Sequence, residues 1–181
     1  MRDRMLAGEP YIADDPALTR DSHRAQALSH LINTMDPTDH AARHRLLSEL
    51  LGGLGQDSEV RPPLQCDYGY QTTIGARSFV NWGVTLLDVA TITIGDDVQI
   101  GPNVQLLTAT HPVEPGPRRD KWEAAEPIVI GDNVWLGGGV IVCPGVTIGA
   151  DTVVGAGSVV TRDLPPGVVA VGSPARVVRE V

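Results

Sequence analysis

Ile130-Gly131-Asp132-Asn133-Val134-Trp135-Leu136-Gly137-Gly138-Gly139-Val140-Ile141-Val142-Cys143-Pro144-Gly145-Val146-Thr147-Ile148 counts in sixes. A branched apolar residue stands at Ile130, Leu136, Val142 and Ile148, and a second apolar residue follows each of the first three after four places, at Val134, Val140 and Val146. Upstream the beat runs through Ile94, Ile100 and Leu106, and downstream through Val154 and Val160, with Val98, Val104, Thr152 and Ser158 in the four-place position. Steps of four and two are both even, so on extended backbone every one of these side chains points to a single face. A helix of 3.6 residues per turn cannot keep them together.

Turn chemistry stops this from being one long strand. Gly95-Asp96-Asp97, Gly101-Pro102-Asn103, Gly131-Asp132-Asn133, Gly137-Gly138-Gly139 and Gly149-Ala150-Asp151 supply residues that tolerate positive φ or hydrogen-bond their own backbone. Each unit is then a short strand and a corner. Three units close a triangular coil of eighteen residues, and stacked coils cover one another's apolar interior at a spacing of roughly 4.8 Å. Looser units begin at Ile74-Gly75, Val80-Asn81 and Leu86-Leu87, with a two-residue slip around Ile92 before strict phase starts. A β-sandwich, with its irregular loop lengths, does not generate such a count.

Composition suits this reading. Apolar residues make up 42% of the 181 but aromatic residues only 4%, as a narrow prism filled with Ile, Val and Leu requires. The formal charge of −8 argues against nucleic acid as the main partner, so any anion site must be local. Cys66 and Cys143 are far apart and lack metal-ligand spacing, which reads as free thiols in a reducing compartment. No apolar run approaches a membrane span, and a cytoplasmic protein is expected.

Residues 1 to about 60 follow helical periodicity, with one stripe of Leu28, Leu31, Ile32 and Met35 and another of Leu46, Leu47, Leu50, Leu51 and Leu54. Asp15-Pro16 and Thr38 are helix starts and Gly52-Gly53 a stop. This segment would cap an open coil end. The expected organisation is a helical segment over 1–60, a β-helix over 61–165 and a C-terminal tail over 166–181.

The count of six breaks after Thr108-Ala109-Thr110-His111 and resumes at Ile130. The intervening stretch, about residues 112–129, holds four prolines, which exclude a helix or a central strand, so it should leave the prism as a loop. Insertions at solenoid corners commonly carry the site. His111 stands at the root of this one and is the only histidine after residue 60. An imidazole so placed suits a general base, taking a proton from an alcohol as it attacks a carbonyl. The same scarcity argues against a zinc enzyme, since tetrahedral catalytic zinc generally needs three protein ligands; no metal is expected. Cys143 stands at a corner with no histidine near it in sequence and reads poorly as a nucleophile.

Unit for unit the chain resembles the hexapeptide-repeat acyltransferases, and within them the maltose and galactoside O-acetyltransferase group. The strings that carry the likeness are Cys66-Asp67-Tyr68-Gly69-Tyr70, Val80-Asn81, Thr108-Ala109-Thr110-His111-Pro112, Gly155-Ala156-Gly157-Ser158-Val159-Val160-Thr161 and Gly172-Ser173-Pro174-Ala175-Arg176-Val177-Val178-Arg179, together with Ala7-Gly8-Glu9-Pro10-Tyr11 near the start. The resemblance implies a left-handed parallel β-helix, an exception to the usual crossover hand. It also implies acetyl transfer from acetyl-CoA to a hydroxyl of a sugar-like acceptor, in a groove between subunits of a homotrimer.

By the same resemblance His111 is the base, and the Gly138 backbone N–H meets the thioester oxygen as charge builds there. Asn81, Asp67 and Asp14 (or Asp15, the local register being offset) fall on acceptor-binding positions. Asp67 stands where galactoside enzymes have serine and the maltose type has aspartate. An acceptor-side aspartate of the galactoside branch aligns with Val89, beside Asp88. Glu123 matches a glutamate that fixes the imidazole tautomer, although a solvated loop charge would look the same. Trp135, Ala156, Thr161, Arg162, Arg176 and Arg179 fall on CoA contacts, with Arg162 replacing the usual lysine; slender pantetheine suits a groove along stacked coils, and arginine suits its phosphates. Acylation of a non-sugar alcohol or amine, and a non-catalytic scaffold, are the alternative readings.

Overall fold

The structure is a computed structural model describing residues 1–181. Its body is a prism with three faces, each a parallel sheet. The first face stacks Gly53–Leu54, Thr72–Ile74, Ile92–Ile94, Ile128–Ile130 and Thr147–Ile148. The second stacks Glu59–Val60, Phe79–Val80, Gln99–Ile100, Trp135–Leu136, Val153–Val154 and Val168–Gly172, and the antiparallel strand Ala175–Glu180 closes it. The third stacks Leu64–Cys66, Val84–Leu87, Gln105–Leu107, Ile141–Val142 and Val159–Val160.

Register places anchor over anchor. Ile94 lies between Ile74 and Ile130, Ile100 between Val80 and Leu136, and Leu106 between Leu86 and Val142. Every anchor and every four-place residue is buried, including Thr152 and Ser158. Those two hydroxyls donate to the carbonyls of Pro165 and Gly155, so neither leaves an unsatisfied group in the core. Each fully buried Ile or Leu contributes roughly 1.5–3 kcal/mol.

The corner glycines divide their work. The residue two places beyond each of several corner glycines adopts positive φ, at Asp97, Asn103, Asn133 and Asp151. The glycine next to the anchor serves close approach instead. A Cβ on Gly101 would lie 2.6 Å from the Gly138 nitrogen, and one on Gly137 2.6 Å from the Ala156 nitrogen, both rigid backbone. The aspartate after glycine stitches the first corner, where the Ala76 N–H donates to Asp96 and the Asp96 N–H to Asp132, each at 2.8 Å.

Three helices precede the prism: α1 (Arg2–Leu6), α2 (Pro16–Thr34) and α3 (His40–Leu50). Asp15 caps α2, with Pro16 at its first position, as expected of Asp15-Pro16. Asp39, one residue beyond Thr38, caps α3. The second helical stripe ends at Leu50, and Leu54 belongs instead to the first strand of the prism. Leu31 of the other stripe is half exposed. The first strand of the β-helix is Gly53–Leu54, and the C-terminal tail forms the strand pair Val168–Gly172 and Ala175–Glu180. Asn33 on α2 donates to the Leu64 carbonyl and accepts from the Leu64 N–H, both at 2.9 Å, standing in for a neighbouring strand. No helix is long and apolar enough to cross a membrane.

The slip at Ile92 belongs to one corner. From the third face to the first, the path takes eight residues rather than six from Cys66 to Ile74 and from Leu86 to Ile94, and from Leu106 it departs altogether until Ile128. That excursion is more ordered than a loop: it contains a single-turn helix α4 (Pro115–Arg119) and the strand Trp122–Ala125. Proline at the first helical position needs no N–H donor, which is why the prolines did not exclude a helix.

Gly137→Ala is expected to destabilise the fold by about 1–3 kcal/mol through overpacking against Ala156. Gly138→Ala, whose Cβ meets nothing nearer than Pro102 at 3.4 Å, should unfold in denaturant at the wild-type midpoint.

Candidate functional site

The excursion is held by a small antiparallel ribbon. Ala109 pairs with Ala125 and Thr110 with Ala124, while on the other side Tyr11 pairs with Glu123 and Ile12 with Trp122. His111 and Glu123 are the residues next to the Thr110–Ala124 pair, one on each strand. His111 is exposed, away from the aliphatic interior. The Tyr11 hydroxyl donates to Glu123 Oε2 at 2.9 Å, which fixes that carboxylate. Burial, then the Glu123 contact, raises the Tyr11 phenol well above its ordinary value, so it stays a donor.

Asp67 faces the same corner. Burial, then the Glu123 charge, raises its carboxyl above the usual range. Tyr11, Tyr68 and Val89 pack with Met5 and Leu18 as a small second core beneath them. Tyr70 donates to Asp21 at 3.1 Å, and Arg2 pairs with the same carboxylate at 2.7 Å. The N-terminal segment is thereby clasped onto the corner.

The structure separates Asp14 from Asp15. Asp15 accepts from the Ala17 N–H and the Arg2 N–H and pairs with the N-terminal ammonium, contacts that hold it well below the ordinary carboxylate range. Asp14 is exposed and makes no hydrogen bond or ion pair within the chain.

Other expected residues sit on a different edge. Asn81, Gly138 and Ala156 occupy the corner between the second and third faces, with Trp135, 55% exposed, on the second face leading into it. The Asn81 side-chain Oδ1 accepts from the Trp82 N–H at 2.9 Å. The Gly138 N–H donates to no atom of the chain, while its carbonyl accepts from Gly157. One face of about five extended residues, roughly 16 Å, separates this edge from the His111 edge. Thr161 and Arg162 lie on the His111 edge two coils further along, and Arg176 and Arg179 lie on the closing strand. None of these three arginines pairs with a carboxylate. No group of three or more His, Cys, Asp and Glu is placed to hold a metal ion.

Residues 4–55 match the maltose acetyltransferase hexapeptide capping motif, and residues 127–162 match the bacterial transferase hexapeptide. Nodulation protein L of Rhizobium meliloti is 48% identical over 97% of this chain and 96% of its own. A maltose O-acetyltransferase from Clostridium difficile superposes with a TM-score of 0.98 at 43% identity, covering 99% of this chain and 96% of that one. The chain belongs to the maltose and galactoside O-acetyltransferase group of hexapeptide-repeat acyltransferases. A galactoside acetyltransferase in complex with coenzyme A, 40% identical, superposes on this acetyltransferase with a TM-score of 0.95 over 99% of this chain and 90% of that one.

Three residues of the acetyltransferase corner escaped sequence reasoning. Tyr11 and Tyr68 sit outside the count of six, and only contacts across long separations bring them together. Asp88 lies inside the slip, and the available signal was a charged residue in a step whose two extra residues had no assigned place. Asp15→Ala is expected to lower the thermal midpoint by a few degrees through loss of the α2 cap, whereas Asp14→Ala should melt as wild type does.

Proposed function

We propose that this acetyltransferase moves an acetyl group from acetyl-CoA to a hydroxyl of a sugar or glycoside, with a maltose-type acceptor favoured, by direct attack with His111 as general base. The observation that carries this reading is the ribbon register: Thr110 pairs with Ala124 and Tyr11 with Glu123, so His111 leaves the ribbon at the step next to Glu123. The acceptor hydroxyl gives its proton to the imidazole as its oxygen attacks the thioester carbon, and the coenzyme thiolate leaves. Negative charge gathers on the thioester oxygen, where a free backbone N–H such as that of Gly138 meets it. Glu123, steadied by Tyr11, has a second oxygen left to receive the other imidazole N–H.

The order of residues along the prism axis supports the assignment. Asp67 and Asn81 lie in the first coils, His111 in the third, Trp135 and Gly138 in the fourth, Ala156, Thr161 and Arg162 in the fifth, and Arg176 and Arg179 on the closing strand. A long donor laid along this axis meets an acceptor zone, a base, an N–H donor, an apolar wall and then unpaired guanidinium groups for its phosphates. Asp14 is the N-terminal acceptor contact in this reading, because Asp15 is committed to the helix cap.

His111 and Gly138 stand on different edges of one prism, and none of the four cavities beside the N-terminal helices contains either of them. A site that uses both therefore draws one edge from each of two copies, and a closed ring of three prisms satisfies every edge. No nucleic acid or membrane enters this reading, and cytoplasmic operation agrees with the need for intracellular acetyl-CoA.

His111→Ala should lower kcat/KM for maltose by about 10²- to 10⁴-fold with assembly and coenzyme A binding unchanged; retained turnover removes the base. Asn81→Ala should be impaired as well. Mixed assemblies of the two inactive variants should regain roughly a quarter of wild-type activity, because one interface in four combines an intact His111 edge with an intact Asn81 edge. No recovery would place the whole site within one chain.

A further inference from the structure

The wide corner contains a carboxylate that the proposed transfer does not use. Asp88 is fully buried, in the eight-residue step from Leu86 to Ile94. Its Oδ1 accepts from the backbone N–H of Asp67 at 3.1 Å and of Tyr68 at 2.9 Å, and its Oδ2 accepts from Thr72 Oγ1 at 3.2 Å. All three donors belong to the preceding coil's version of the same corner. One carboxylate from the coil above therefore holds both ends of the Asp67–Thr72 segment.

No cation compensates it. The titratable groups coupled to Asp88 are Cys66, Asp67 and Tyr68, none of them positive. The polar neighbours at this corner are neutral: Thr72, Gln71, which donates to the Val89 carbonyl, and Thr108, which accepts from the Ala90 N–H and donates to the Leu87 carbonyl. A buried charge without a counter-ion is costly, and the compensation here comes from peptide and hydroxyl donors alone. A branched apolar side chain would fill the space but leave the Asp67 and Tyr68 N–H groups unpaired.

We infer that Asp88 is a positioning residue for acceptor binding: by gripping the Asp67 and Tyr68 peptides it aims the Asp67 side chain into the acceptor zone, and its protonation loosens that aim while leaving the donor side untouched. The inference rests on Asp67 being an acceptor contact. A neutral carboxyl is a weaker acceptor than a carboxylate, so the grip slackens when Asp88 takes up a proton. Burial, opposed by the Tyr68 N–H, pushes the Asp88 carboxyl up to about 6, which sets the transition in mildly acidic solution. Because this value lies above the ordinary one, proton uptake between about pH 7 and pH 4 favours the folded state. Loss of acceptor affinity over that range is therefore not unfolding driven by Asp88.

Initial rates with maltose as the probe acceptor, measured from pH 5 to 8, test the inference. For the wild-type enzyme the maltose KM should rise about tenfold from pH 7 to pH 5, while the acetyl-CoA KM changes less than about twofold. Asp88→Asn should raise the maltose KM about tenfold at pH 7.5 and flatten its pH dependence. Thr72→Val, which removes a donor favouring the charged form, should move the KM rise to higher pH. An Asp88→Asn enzyme with wild-type KM at pH 7.5, or one that keeps the acid rise, overturns the inference, as does an unshifted midpoint in Thr72→Val. If Asp88→Asn fails to fold, the wild-type and Thr72→Val profiles decide. Amide hydrogen exchange needs no acceptor: the Asp67 and Tyr68 N–H groups should exchange about tenfold faster in Asp88→Asn, and unchanged protection refutes the grip. Failure of every form to acetylate maltose, with the exchange result as expected, would count against the acceptor reading alone.

Discussion

The molecule depends on how closely one coil can lie upon the next. Strands in a parallel sheet sit about 4.8 Å apart, and at a corner, where the backbone turns inward, no room is left for a β-carbon. Gly101 beneath Gly138 and Gly137 beneath Ala156 meet that limit, so the glycine beside an anchor is fixed by its neighbour in the stack more than by its own torsions. Everything else follows from tolerating this contact at every level. The anchors can then superpose, the interior can fill with Ile, Val and Leu, and the chain can run as a column instead of a compact globule.

A column with identical corners would have no place for chemistry. The edge between the third and first faces breaks the uniformity at three successive levels, twice by two residues and once by a whole excursion. Those departures open room for Asp67, Asp88 and the His111 ribbon in adjacent layers, each resting on the one below. The two small bulges supply the floor and the large one supplies the wall. The acceptor and base side of the proposed site thus arises where the repeat is violated, within a scaffold rigid enough to define the violation.

The fold was legible because its period is a backbone property. Alternation along a strand and glycine at a corner are written locally, and they placed the anchors from Ile94 to Val160 correctly. Leu54 was misassigned because Leu50, Leu51 and Leu54 satisfy helical spacing as well as the start of a strand, and only the register with Ile74 decides between them. The excursion was misjudged for a related reason, since proline forbids a helix interior but welcomes its first turn. His111 and Glu123 were legible as residue types at an interruption. The Tyr11 hydroxyl that steadies Glu123 was not, because the two residues are 112 positions apart and meet only after folding.

A stack of parallel strands invites endless growth, since each end offers unpaired peptide groups to another copy. At one end Asn33 answers Leu64 with a side-chain amide that imitates the missing backbone. At the other, Ala175–Glu180 runs antiparallel against Val168–Gly172, so the outermost strand of that face presents the wrong direction to an incoming parallel coil. Both devices work as terminators. Each leaves an incoming parallel strand without matching partners on the face that it covers.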